Sequence, residues 1–165
     1  MQFTSTTLLL LVFAATASSQ EAWPSTAPVE VPANLHSGVY RPVVEAMWRA
    51  SPTFRRQCER LAAKPTLTVK LVVDLSHTLD PLVRASTEMY RKNGLLVFAR
   101  VLIRSPDETV ELIAHEMEHV IEQIDGVSMV SHESTRGIEV GRLVAREFEQ
   151  SRHHAASVSG SGNRD

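Results

Sequence analysis

Two histidines four residues apart, with a glutamate directly after the first, stand in "ELIAHEMEHVIEQIDG", residues 111 to 126 of a 165-residue chain that holds seven histidines. Side chains four apart share one face of a helix, so the imidazoles of His115 and His119 can converge on a single Zn²⁺ at about 2.0–2.1 Å each. Glu116 then projects beside the ion rather than onto it. A glutamate so placed takes a proton from a water whose pKa the ion has lowered and passes it to a leaving amine. The spacing predicts metal-assisted hydrolysis, with His115 and His119 as ligands and Glu116 as general base. The competing reading is a solvated charged face of an ordinary helix.

A third ligand has to come from elsewhere. Glu122 shares the histidine face, but it lies seven residues, or about 10.5 Å of helix rise, from His115, so it cannot reach the same ion. It is expected to support the site from behind or to be solvated. Two later glutamates compete. Glu133 lines up with Gly137, Val140, Val144 and Phe148, the inward face of a following helix, and Gly137 and Gly141 would let that face approach the histidines closely. Glu139 points about 120° away from that face, yet a return helix beginning near Ser131 would bring it level with His119. Glu133 is favoured and Glu139 is the alternative. His132, Arg136 and Tyr90 are candidate oxyanion donors by residue type alone.

The motif needs a helix, and the surrounding residues specify one. Val110, Ile113, Met117, Val120, Ile121 and Ile124 fall in one sector at 100° per residue, which makes that sector the core face. Ser105, Pro106 and Glu108 read as cap, first-position proline and capping-box glutamate, and Asp125-Gly126 as the stop. Upstream, Leu67 to Leu75 alternates with period two and reads as a strand. Asn93-Gly94 between "VRASTEMY" and "LLVFARVLI" signals a hairpin whose second strand, Leu95 to Ile103, leads into the motif helix. "RPVVEAMWRASPTFRRQCERLAA" contains two helices, the second opened by Ser51 and Pro52, with Trp48, Phe54 and Leu61 as core. "ESTRGIEVGRLVAREFEQ" is a last helix. These elements predict an α+β fold with an antiparallel or mixed sheet of about three strands, the helices packed on one side.

The remaining sequence sets the boundaries. "MQFTSTTLLLLVFAATASSQ" runs from a polar start through an apolar block into small residues, as a secretory signal peptide does, so residues 1–19 are expected to be removed on export to the periplasm or beyond. The block is shorter than the ~20 residues of a membrane-spanning helix, and no stable anchor is expected after cleavage. Residues 20–38, with three prolines, are expected to be a linker or extended arm. One domain follows over residues 39–150, and the polar residues 151–165 are expected to be a disordered tail in which the adjacent His153 and His154 carry no chemistry. A net charge of −2 argues against a nucleic-acid partner. The single cysteine, Cys58, cannot form an internal disulfide and is expected to pack as a small apolar residue.

At this point the residues resemble a known family. His115-Glu116-Met117-Glu118-His119 after a strand is similar to the active-site helix of the zincin metallopeptidases, and the helix that follows resembles the branch in which a downstream glutamate is the third ligand. "SPTFRRQCERLA", "LIAHEMEHVIEQIDG" and "ESTRGIEVGRLVARE" also look like stretches of predicted secreted bacterial proteins of that type. The resemblance implies a small zincin-like domain, bound Zn²⁺ and a peptide or protein substrate. It implies a ligand role for Glu139, whose twenty-residue spacing from His119 is thermolysin-like, or for Glu133, which opens the E-x-x-x-small pattern of the bacterial sequences. It also implies that the strand Leu95 to Ile103 binds an extended peptide along its edge. The alternative function is a non-catalytic zinc-binding or interaction protein that retains the motif helix.

Overall fold

The computed structural model describes residues 28–75, 82–127 and 134–160. The expected signal peptide lies outside these residues, as do His132 and the favoured third ligand, Glu133. Among the described residues the chain forms β1 (Leu35–His36), a 3₁₀ turn (Gly38–Tyr40), α1 (Arg41–Ala50), α2 (Pro52–Ala62), β2 (Thr68–Val73), β3 (Ala85–Lys92), β4 (Leu95–Ile103), α3 (Thr109–Ile124) and α4 (Thr135–Gly160). None of these helices is long and apolar enough to cross a membrane.

The expected α+β class is present, with one more strand than the period-two segments predicted. The sheet is mixed, in the order β1-β2-β4-β3: β1 and β4 run parallel to β2, and β3 runs antiparallel to β4. The added strand comes from the stretch expected to be an extended arm. Two residues carry too little periodicity to reveal a strand, but Leu35 is buried in the core. Asn34 fixes the segment, its amide nitrogen lying 2.9–3.0 Å from the carbonyl oxygens of Leu61, Lys64 and Leu67.

The β3–β4 hairpin follows the Asn-Gly signal: Asn93 and Gly94 both have positive φ, 52° and 79°, as a tight hairpin turn of matching twist requires. Its placement corrects one expectation. Leu95 to Ile103 pairs with β2 on one side and β3 on the other, so it has no edge to offer a peptide. The outer strand beside the motif helix is β3, because the chain crosses from β2 past the β4 position before turning back.

One face of the sheet is buried, through Val69, Leu71, Ala99, Val101 and Ile103, while Lys70 and Tyr90 on the other face are exposed. The helices cover the buried face, with α3 against β4 and β3 and with α4 and α2 against α3. Phe54 and Leu61 are fully buried and Trp48 packs at the margin of the core, as expected. Ser51 caps α2, its hydroxyl accepting from the Phe54 amide at 2.9 Å, a contact of about 1 kcal/mol.

Both ends of α3 are informative. At its C-terminus the Val127 amide donates to Glu122 O at 2.9 Å and the Gly126 amide to Gln123 O at 3.3 Å. With Gly126 at φ 76° this is the Schellman stop that Asp125-Gly126 predicted. The start differs. Ser105 does not cap: the amides of Arg104 and Ser105 both donate to Arg84 O, which holds the chain to the sheet for longer, and α3 begins only at Thr109. At the other end of the molecule, α4 continues to Gly160 through part of the expected tail, with exposed side chains over residues 149–157. Glu149, Gln150, Arg152, Ala155 and Ala156 are good helix formers without an intervening proline, so the helix extends from its packed stem.

Candidate metal centre

The motif helix is not half solvated. Its apolar sector is buried as predicted, but so is the charged side: Glu116, Glu118, His119 and Glu122 are only 3–6% exposed. The reading of this face as a solvated surface is therefore overturned. What the pattern of one helix could not show is the cover supplied by α4.

Polar contacts at the start and near the middle of α4 seat that cover. Near the middle of α4, Glu147 accepts from Ser51 Oγ at 2.5 Å, Thr53 Oγ1 at 2.8 Å and the Thr53 amide at 3.1 Å. Its carboxylate thus sits on the N-terminus of α2, where backbone donors and the helix dipole favour negative charge. At the start of α4, Ser134 Oγ accepts from the Gly137 amide at 2.8 Å, and Arg136 lies 2.5 Å from Glu118 Oε1 and 3.3 Å from Asp125 Oδ2. Between these points the backbone comes close to α3 at two glycines. A Cβ on Gly141 would stand 2.9 Å from Glu111 O and 3.1 Å from His115 Cβ; on Gly137 it would stand 3.1 Å from His119 Cε1 and 3.5 Å from His115 Cε1. The inward face of α4 is the one expected, and it abuts the two imidazoles.

Beneath it, His115 Nε2 and His119 Nε2 are 3.0 Å apart, their rings edge to face at 88°. His119 Nδ1 lies 3.1 Å from Glu122 Oε2, both side chains buried. Glu122, excluded as a co-ligand by helix rise, is thus the partner of the second nitrogen of His119. Glu116 Oε2 accepts from Thr87 Oγ1 of β3 at 2.7 Å. One donor atom from each of His115, Glu116 and His119 lies within 4.8 Å of the others.

Two nitrogens bound tetrahedrally at about 2.0–2.1 Å stand about 3.3 Å apart. The observed 3.0 Å is within a few tenths of an ångström of that, so the pair fits a small divalent cation with little ring movement. The donor set, imidazole with carboxylate, suits first-row divalent metals. The buried carboxylates around it make added positive charge favourable in a medium where an unpaired charge is costly.

Other expected residues stand apart. Glu139 is exposed on α4, about 200° around the helix from Gly137. Arg136 is engaged by Glu118 and Asp125. Tyr90 lies on the uncovered face of the sheet, its ring 5.7 Å from Phe98 and its hydroxyl donating to Glu88 at 3.4 Å, so it cannot reach the histidines.

Two supporting residues escaped the sequence reading. Thr87 occupies an inward position in a recognisable strand, but the strand's period does not say which helical residue it meets. Gln57 Nε2 donates to Ala114 O at 2.9 Å and Glu118 Oε2 at 2.8 Å, tying α2 to the motif helix; a polar residue between the apolar Phe54 and Leu61 was its only signal. The chain matches no protein-family model, and no curated protein or solved structure matches it.

Proposed function

We propose that this protein is an exported zinc-dependent hydrolase acting on peptide bonds. The observation that carries the reading is the convergence of His115 with the buried Glu116 and His119, their donor atoms within 4.8 Å of one another and α4 packed against them. Bound Zn²⁺ supplies Lewis acidity and lowers the pKa of water. His115 and His119 would hold it, with Glu122 orienting His119 from behind. Glu116 accepts the proton from the attacking water at its carboxylate and delivers it to the departing amine nitrogen.

Glu133 is proposed as the third protein ligand. It stands four residues before Gly137 in the sequence, and the Gly137–Gly141 row faces the imidazoles, whereas Glu139 is exposed on another side of α4. β3, with its outer edge unpaired among the described residues, gives an extended substrate a strand to lie along. Export rests on the apolar block Leu8–Ala15 followed by small residues.

Glu116→Gln keeps the shape and removes the base. The variant is expected to bind zinc as the parent does and to lose at least about 10²-fold in hydrolysis of a mixed quenched-peptide pool. Undiminished turnover in the variant would refute the role of Glu116.

The tight cover also favours a second reading. With His119 at 3% exposure, the site suits an ion held for structure in a binding or interaction protein. That reading predicts zinc bound by the parent chain without hydrolysis of the same pool, and a loss of thermal stability on chelation.

A further inference from the structure

Glu116 sits where it could play either of two parts. Its carboxylate belongs to the same 4.8 Å cluster as the two imidazole nitrogens, and a carboxylate is an ordinary zinc ligand at about 2.0–2.2 Å. A glutamate side chain with three rotatable bonds could swing onto an ion there. As a ligand it would fill the position a water needs, and its lone pairs would no longer be available to a proton.

The position of Thr87 bears on this choice. Its hydroxyl has a single hydrogen and two acceptors within reach, Glu116 O at 3.3 Å and Glu116 Oε2 at 2.7 Å. The shorter, charge-assisted contact is the stronger of the two, so the hydrogen goes to the carboxylate. The tether point is rigid. Thr87 lies opposite the fully buried Val101 in the β3–β4 ladder, and its branched Cβ restricts χ1.

We propose that Thr87 is a positioning residue that holds the Glu116 carboxylate to the sheet, keeping it a proton acceptor beside a bound divalent cation instead of a ligand to it. The proposal rests on the reading that His115 and His119 hold such an ion. It makes β3 part of the site through a side chain as well as through its edge.

The test compares the full-length protein with Thr87→Val, which keeps the branched shape, Thr87→Ala, which removes the hydroxyl without adding bulk, and Thr87→Ser, which keeps the hydroxyl. Each is titrated with Zn²⁺ and Co²⁺, and the visible absorption of the Co²⁺ form is recorded. Thr87→Ser should match the parent. Thr87→Val and Thr87→Ala should bind metal at least as tightly, show an altered Co²⁺ ligand-field spectrum as the carboxylate joins the ion, and lose about tenfold in hydrolysis.

Parental affinity and spectrum in both hydroxyl-free variants would overturn the proposal and leave the metal site standing. A parent chain that takes up neither ion would overturn both. If Thr87→Val does not fold, Thr87→Ala gives the decision.

Discussion

His119 Nδ1 lies 3.1 Å from Glu122 Oε2, and each side chain is 4% exposed. With Glu122 as the acceptor of this contact, the imidazole proton sits on Nδ1 and the Nε2 lone pair is directed at His115. That is the tautomer a metal ligand needs. Glu122→Ala should therefore bind zinc about 10–100-fold more weakly while keeping the fold. Glu122→Gln, which still presents an acceptor, should fall between the parent and Glu122→Ala in calorimetric titration. Equal affinities in all three would show that the contact does not orient the ligand.

The glycines of α4 separate packing from metal binding. Gly141→Ala places a methyl 2.9 Å from the backbone oxygen of Glu111, which cannot yield as a side-chain tip can. Overpacking of about 1–3 kcal/mol opposes a helix-propensity gain of about 1 kcal/mol. The expected net result is a lower thermal midpoint. Gly137→Ala meets side chains instead, Ser134 Oγ at 3.0 Å and the two imidazole rings at 3.1 and 3.5 Å, and is expected to weaken zinc binding more than it lowers the midpoint. Thermal melts and zinc titrations of both variants check the difference.

Cys58 is expected to be inert. Burial pushes its thiol up to about 12, so at pH 8 almost none is thiolate, the form that reacts. Iodoacetamide should leave the folded protein unmodified and alkylate it once in denaturant, read by mass spectrometry. Rapid alkylation of the native chain would contradict the packing of α2.

The choice of third ligand predicts opposite behaviour at two nearby positions. Glu133→Ala should lower the bound zinc to well under one ion per chain, and Glu139→Ala should leave it unchanged. The reverse result would transfer the role to Glu139.

Much of this arrangement is legible in short stretches of sequence. The Asn93-Gly94 turn, the Ser51 cap and the Gly126 stop each arise from local backbone chemistry and appear where expected. The apolar sector of α3 identifies its core face for the same reason. What local patterns could not carry was the partner of each surface. The glutamates of α3 look solvated because their own helix says nothing of its cover; Gly137 and Gly141 signal the close approach of α4 to the histidines, not how far that cover extends. Leu35 looks like part of an arm because two residues show no period, and its strand forms only against β2. Leu95 to Ile103 reads as a strand in either case; whether it lies inside or at the edge depends on how β3 returns, which is long-range pairing. Thr87 illustrates the same limit, since its contact with Glu116 spans 29 residues.

The proposed function requires that His115 and His119 hold a divalent ion. Elemental analysis of the purified full-length protein after exhaustive dialysis, followed by calorimetric titration of the chelated form, tests it most directly. The parent is expected to hold one zinc per chain and to lose it in both His115→Ala and His119→Ala. A folded, metal-free parent that takes up no zinc at micromolar concentrations would contradict it.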